Sequence, residues 1–227
     1  MRDDITLCLT IGKRPQELRK TLESLLSKVQ FKHIIAINDF GDEATSLVFR
    51  ELCPNGELID LGYNLGHHKA VDLMYSKVAT PYIFHCEDDW EFDNIPNLDA
   101  IIELLNHESE IISVSLRQID DFAFTNEELT KIKYIRSSYL PIASLNALHE
   151  QWHGYTFNPH IIKLSSYQTI MPFANFKKER HISRFLRKSG KYVAYLQNGA
   201  CHHIGFDSVA NPPKKTWLAK IKGKLFG

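Results

Sequence analysis

Four short apolar runs alternate with three helical stripes over the first ninety residues, and this alternation restricts what the chain can fold into more than any other feature. Residues 5–11 form a run rich in branched side chains. Gly12-Lys13-Arg14-Pro15 breaks that run, with the proline placed as a helix start. Leu18, Leu22, Leu25, Leu26 and Val29 follow at helical spacing. A second strand at 33–38 ends in Asp39-Phe40-Gly41-Asp42, and Ala44, Leu47, Val48 and Leu52 make the next stripe. A weaker third strand at 58–61 turns through Gly62-Tyr63-Asn64-Leu65-Gly66 into a helix carrying Ala70, Val71, Met74 and Val78. The fourth strand begins at Tyr82. An order β-α-β-α-β-α-β predicts an α/β fold, a mostly parallel central sheet with helices on both faces. Functional residues of such sheets gather at the carboxyl ends of the strands.

The fourth strand, Tyr82-Ile83-Phe84-His85-Cys86, empties into Glu87-Asp88-Asp89. Three adjacent carboxylates repel one another, and a buried strand end tolerates them when a cation sits there, as a hard divalent ion with phosphates does. The plain alternative is a solvated acidic turn. Thr10 to Arg14 and Asp39 also lie at strand ends of the same sheet, and this convergence favours a site.

Beyond Pro96 a helix (Leu98, Ile101, Ile102, Leu104, Leu105) and a strand at 111–116 continue the pattern. Residues 117–150 lose periodicity apart from a short helix near 127–133, a length typical of a functional excursion. An extended pattern is expected at 152–157, a helix at 179–188 and a last strand at 192–196, leading to Cys201-His202-His203. The expected organisation is one domain over 1–211 and a tail over 212–227.

Charge separates those two parts. The chain holds 27 basic and 27 acidic residues, so a polyanion such as nucleic acid finds no global attraction. The tail nevertheless carries Lys214, Lys215, Lys220, Lys222 and Lys224 and no acid. Its Trp217, Leu218, Ile221, Leu225 and Phe226 share one side of a helical wheel, the pattern of an interfacial amphipathic helix. Four cysteines without close spacing argue for reduced thiols, and the seven-residue apolar segment near the N-terminus is too short to span a bilayer. The expected location is the cytoplasm, with the tail at the inner face of the membrane.

In order and spacing, several pieces together resemble the GT-A fold glycosyltransferases, in particular the family-two bacterial enzymes. They are Thr10-x-x-Lys13-Arg14-Pro15-x-x-Leu18-x-x-Thr21-Leu22-x-Ser24-Leu25, Asn38-Asp39, Asn64-x-Gly66, Glu87-Asp88-Asp89 in the position of a DxD motif, Glu179 and a terminal histidine. The resemblance covers about residues 5–205. It implies a nucleotide-sugar donor, with a UDP-sugar first among the candidates, and a saccharide or glycolipid acceptor. Asp39 would contact the base, Thr10 and Arg14 the nucleotide, and Lys69 and Asp88 would belong to the donor site. Asp89 would bind Mn²⁺ or Mg²⁺, joined by Glu87. One of His202 and His203, with His203 preferred, could complete the metal's coordination; the plain alternative is a pair of polar loop residues. There are departures: Glu87 replaces the first Asp of the motif and could instead reach the metal through water or hold the ribose, Asn38 stands where a second Asp is frequent, and Lys69 replaces an arginine.

The chemistry is coherent without the family name. Breaking a sugar–phosphate bond develops charge on a diphosphate, which a carboxylate-held divalent cation neutralises, and the attacking hydroxyl needs a base. For that base the resemblance implies Glu179, in the place of the acid that precedes the family's last helix. Glu179 reads equally well as a helix-start glutamate favoured by the dipole. Trp152 and His153 are candidate walls for an acceptor sugar, Trp90 reads rather as core, and His67-His68-Lys69 as an exposed helix start or a phosphate contact. Rival uses are a nucleotidyltransferase, a non-catalytic metal-dependent carbohydrate-binding module, and a zinc site from Cys86, Cys201, His202 and His203 whose spacing fits no finger.

Overall fold

The computed structural model describes residues 1–149 and 154–205. Trp152, His153 and the tail 212–227 lie outside the described residues. The first half follows the expected alternation: β1 (Arg2–Ile11), α1 (Pro15–Leu26), β2 (Phe31–Asn38), α2 (Glu43–Leu52), β3 (Glu57–Asp60), α3 (His67–Tyr75) and β4 (Tyr82–Glu87). Pro15 starts α1, and the Asp42 side chain caps α2 by accepting from the Thr45 N–H, so both helices begin where turn chemistry dictates. All three pairings of this half, β3 with β2, β2 with β1 and β1 with β4, are parallel.

The second half comprises β5 (Trp90–Phe92), α4 (Leu98–His107), β6 (Ile111–Ser115), a single helical turn α5 (Asn126–Leu129), β7 (Lys133–Arg136) and β8 (Pro141–Ser144). It continues with β9 (His160–Lys163), α6 (Leu164–Gln168), α7 (Glu179–Lys188), β10 (Tyr192–Leu196) and β11 (Cys201–His203). The main sheet runs β3-β2-β1-β4-β9-β6-β10-β8-β7. β9 is antiparallel to both β4 and β6, and β8 is antiparallel to both β10 and β7, so these two strands oppose the other seven. A separate ribbon pairs β5 with β11.

Two expectations change here. Of the extended pattern expected at 152–157, the described residues 154–157 form no strand, although Tyr155 and Phe157 alternate into the core; the strand of this region is His160–Lys163. The excursion at 117–150 also contains an edge hairpin, β7–β8, whose strands are only four residues each.

Strand alternation sends Leu7, Leu9, Phe84 and Ile161 to one face, beneath α1, α2 and α4. Cys8, Ile83 and Ile162 go to the other, beneath α3, α6 and α7. Helices therefore cover both faces, and the polar strand ends open at one rim.

Candidate functional site

The loop after β1 sets the floor of the site. A Cβ on Gly12 would lie 2.3 Å from a ring carbon of Phe40, so only glycine lets the loops after β1 and β2 meet. The Gly12 N–H donates to Asp88 Oδ2 at 2.8 Å, and Lys13 takes a positive φ of 60° to aim the next residue back over the acids. That residue is Arg14, whose guanidinium pairs with Asp89 Oδ2 and reaches Asp88 Oδ1 at 3.4 Å. Thr21, buried on α1, holds the acidic turn from behind: its hydroxyl donates to the Asp88 carbonyl and accepts from the Trp90 N–H, both at 3.0 Å. The acids form a fixed, buried turn pinned by α1 and the β1 loop.

From the other side, β11 delivers His203, whose Nε2 lies 3.0 Å from Asp89 Oδ2. The Ile204 N–H donates to the Asp89 carbonyl at 2.9 Å. A Cβ on Gly205 would fall 2.4 Å from Asp89 Oδ2, so glycine is required for the chain to pass so close. Asp89 thus stands between Arg14 and His203. Burial and the neighbouring Asp89 carboxylate push Asp88 up to about 7, against the opposing pull of the Gly12 N–H and Arg14.

Glu87 is half-buried and its Oε2 accepts from Trp90 Nε1 at 3.3 Å and from Asn158 Nδ2 at 3.5 Å. Burial first, and then Asp89, Glu179 and Asp88, drive its carboxyl well above the usual range. Of the three expected metal ligands, the structure brings Asp89 and His203 together, while Glu87 holds other partners beside them. No group of three or more His, Cys, Asp or Glu side chains among the described residues is arranged to hold a metal ion. Of the four residues of the zinc alternative, Cys86 is buried and its thiol donates to the Glu87 carbonyl at 3.1 Å, while His203 faces Asp89.

Asp39 is buried and holds the turn before α3, accepting from the Leu65 N–H at 2.6 Å, the Gly66 N–H at 3.2 Å and Asn64 Nδ2 at 3.3 Å. Burial raises its carboxyl, against the two backbone donors. Asn38 explains its own identity: its Oδ1 accepts from the Phe40 and Gly41 N–H groups, while its Nδ2 donates to the Asp42 carbonyl and Ser46 Oγ. An aspartate there could not make the last two bonds. Thr10 is buried at the strand end, in register with Glu87. Lys69 is exposed on the first turn of α3, in a hollow of about 330 Å³ shared with His67, His68 and Lys177.

Glu179 opens α7, and its Oε1 accepts from the Phe157 N–H at 2.8 Å. Burial raises its carboxyl, opposed by that N–H and by Arg117, and its charge is felt at Glu87. Trp90 is fully buried, which makes it core rather than a sugar wall. Sequence reasoning missed Arg117, Asp121 and Asn158, which surround Glu87 and His203; only their position just past or just before a strand end could have signalled them.

The model of glycosyl transferase family 2 matches residues 7–171, most of the chain. The chain belongs to that family. No curated protein matches it in sequence. Among solved structures, this family-two chain is similar in fold to TarS residues 1–349 from S. aureus, at 12% identity and a TM-score of 0.61 over 88% of this chain and 60% of that one. It is also similar to the mannosyltransferase PcManGT from Pyrobaculum calidifontis, solved with GDP-Man and Mn²⁺, at 10% identity and a TM-score of 0.61 over 90% and 57%. A third similar structure is GalNAc-T7 with UDP, GalNAc and Mn²⁺, at 12% identity and a TM-score of 0.64 over 92% and 45%. The chain thus spans 60% or less of the length of each. These likenesses establish the GT-A fold.

Proposed function

We propose that this chain transfers a sugar from a nucleotide-sugar, a UDP-sugar first among the candidates, to a hydroxyl of a surface-glycan or glycolipid acceptor, with help from Mn²⁺ or Mg²⁺. The observation that carries this reading is Asp89 at the end of a central strand, buried, and faced by Arg14 on one side and His203 on the other. A carboxylate and an imidazole suit Mn²⁺, and a site using one or two protein groups plus substrate phosphates is the usual arrangement for Mg²⁺. Asp89 and His203 would hold the cation, with Glu87 completing the shell directly or through water. The bound cation would offset the charge that develops on the departing diphosphate.

The protein's own residues do the rest. Arg14, already turned toward the acids, adds a second positive charge beside the diphosphate. Thr10 and the Gly12 loop line the nucleotide, and the Asp39-held turn at 64–66 shapes the base pocket. Glu179, its carboxyl raised by burial, takes the acceptor hydroxyl's proton. Lys69 meets the donor from the rim, and Trp152 and His153 stack the acceptor sugar.

Incubating the protein with a panel of nucleotide-sugars and Mn²⁺, and following donor hydrolysis, tests this reading; cleavage of none of them overturns it. Glu179→Gln separates it from a carbohydrate-binding module, since only an enzyme loses turnover while keeping nucleotide binding. No described helix is long and apolar enough to cross a membrane. The basic tail 212–227 supplies a peripheral contact with anionic leaflets, each lysine near the surface contributing about 1 kcal/mol. Flotation with anionic liposomes is expected to be lost when the chain ends at Asn211; equal flotation of both proteins removes this role.

A further inference from the structure

Arg117 follows β6, and its backbone is held from both sides. The Leu116 N–H donates to the Pro159 carbonyl at 2.8 Å, the Cys201 N–H to the Leu116 carbonyl at 3.2 Å, and the Gln118 N–H to the Cys201 carbonyl at 2.9 Å. Its side chain is only 19% exposed. The guanidinium Nε donates to Asp121 Oδ2 at 2.8 Å, one terminal nitrogen to the Asp121 carbonyl at 2.9 Å, and the other to Asn158 Oδ1 at 3.1 Å. Its Cζ also lies 3.9 Å from the Phe122 ring centre and 5.4 Å from that of Trp90.

Three of those partners, Asn158, Trp90 and Asp121, lead to the site. Asn158 and Trp90 are the two donors to Glu87 Oε2. Asp121 Oδ2 accepts from the His203 N–H at 3.3 Å, and the His203 ring lies 5.1 Å from Trp90. A planar fork with several donors and an aromatic-stacking face can orient three groups at once, which neither a lysine nor a neutral amide can do.

We propose that Arg117 is a positioning residue of this site, setting Glu87 through Asn158 and Trp90 and setting His203 through Asp121, so that one guanidinium aligns both flanks of the Asp88–Asp89 turn. The role rests on the metal-dependent reading above. Its positive charge also opposes the burial that raises Glu179, so the same group faces the candidate base.

The test is the apparent Mn²⁺ affinity in the presence of UDP or GDP, measured by calorimetry and by the Mn²⁺ electron paramagnetic resonance line shape. Arg117→Lys keeps the charge and loses the fork. It is expected to weaken Mn²⁺ by about tenfold, the scale of outer-shell changes at metal sites, with an altered line shape and a melting temperature close to wild type. Asn158→Ala, which leaves Arg117 in place, is expected to weaken Mn²⁺ in the same direction and serves if Arg117→Lys does not fold. The double variant should lose less than the product of the two single losses, because both act along one route. Cation-dependent binding in wild type that neither variant changes, or losses that multiply, overturns the role of Arg117 alone. Cation-independent binding in wild type overturns the metal reading and this inference with it.

Discussion

The half of the sheet built from β1 to β4 and the half beyond β4 solve different problems. In the first, every pairing is parallel, every connection is a helix, and the polar residues sit on the loops directly after the strands. In the second, β9 and β8 run backwards, β7 and β8 pair as neighbours with no helix between them, and polar residues come from segments far apart in sequence: Arg117, Asn158, Glu179 and His203. The difference teaches where binding and chemistry divide. On the function proposed above, the repeated β-α half would cradle the nucleotide, while the irregular half would add His203, set by Arg117, beside the cation and Glu179 at the acceptor hydroxyl.

That division can be broken by experiment. The largest expected effect lies in the second half: Glu179→Gln should lower kcat by on the order of 10²–10⁴ while nucleotide affinity stays at the wild-type value. A parallel loss of affinity would show that the halves are not separable. Next, Asp89→Ala in the first half should weaken cation-dependent nucleotide binding by at least about a hundredfold, since outer-shell partners alone are worth about 10–100-fold. Calorimetry with Mn²⁺ and with EDTA measures it; equal affinity in EDTA would end the metal role.

Asp39→Ala should cost about 1–3 kcal/mol of nucleotide binding, roughly ten- to a hundredfold, with metal dependence intact. Part of that loss comes from freeing the 64–66 turn, whose N–H groups Asp39 holds. Wild-type affinity in this variant would remove the second strand's end from the site.

The last effect, on stability rather than on binding, concerns the seam between the halves, where His85 and His160 stack in register on β4 and β9. Both are buried, neither His85 nitrogen has a hydrogen-bond partner, and burial holds His160 down to about 4 and His85 well below its usual value. A depressed histidine in the folded state means the unfolded chain binds the extra proton. Stability from keeping it neutral is complete above about pH 6.5 and is lost as pH falls below that value. Replacing His85 by Phe should therefore gain about 2 kcal/mol relative to wild type on going from pH 7.5 to pH 5. Denaturant melts at the two values check this; a constant difference would mean that His85 is not held neutral by the fold.

Much of the first half was legible because its signals are local. Continuous apolar strands, Pro15 at a helix start and Asp42 as a cap each announce themselves within a few residues. The acidic turn and His203 were legible as residues, though not the pairing of that turn with Arg14, which follows the positive φ at Lys13. β9 was not legible because His160–Lys163 offers only four residues to periodicity, while Tyr155 and Phe157 alternate nearby in an extended pattern without pairing. Arg117 stayed hidden for another reason. Its partners at 121 and 158 and their targets at 87 and 203 share no spacing, and only the closed sheet joins them.

The insertion of β9 between β4 and β6 also dictates when the protein can become whole during its own synthesis. Residues 82–87 and 111–115 are made early, yet the strand that joins them is encoded at 160–163. At about 5–20 residues per second, the ribosome leaves those two strand edges unjoined for on the order of several seconds. Over that interval the row of unpaired amides on β4 is open to a neighbouring nascent chain, and this sheet is most exposed to mispairing at its centre rather than at its rim.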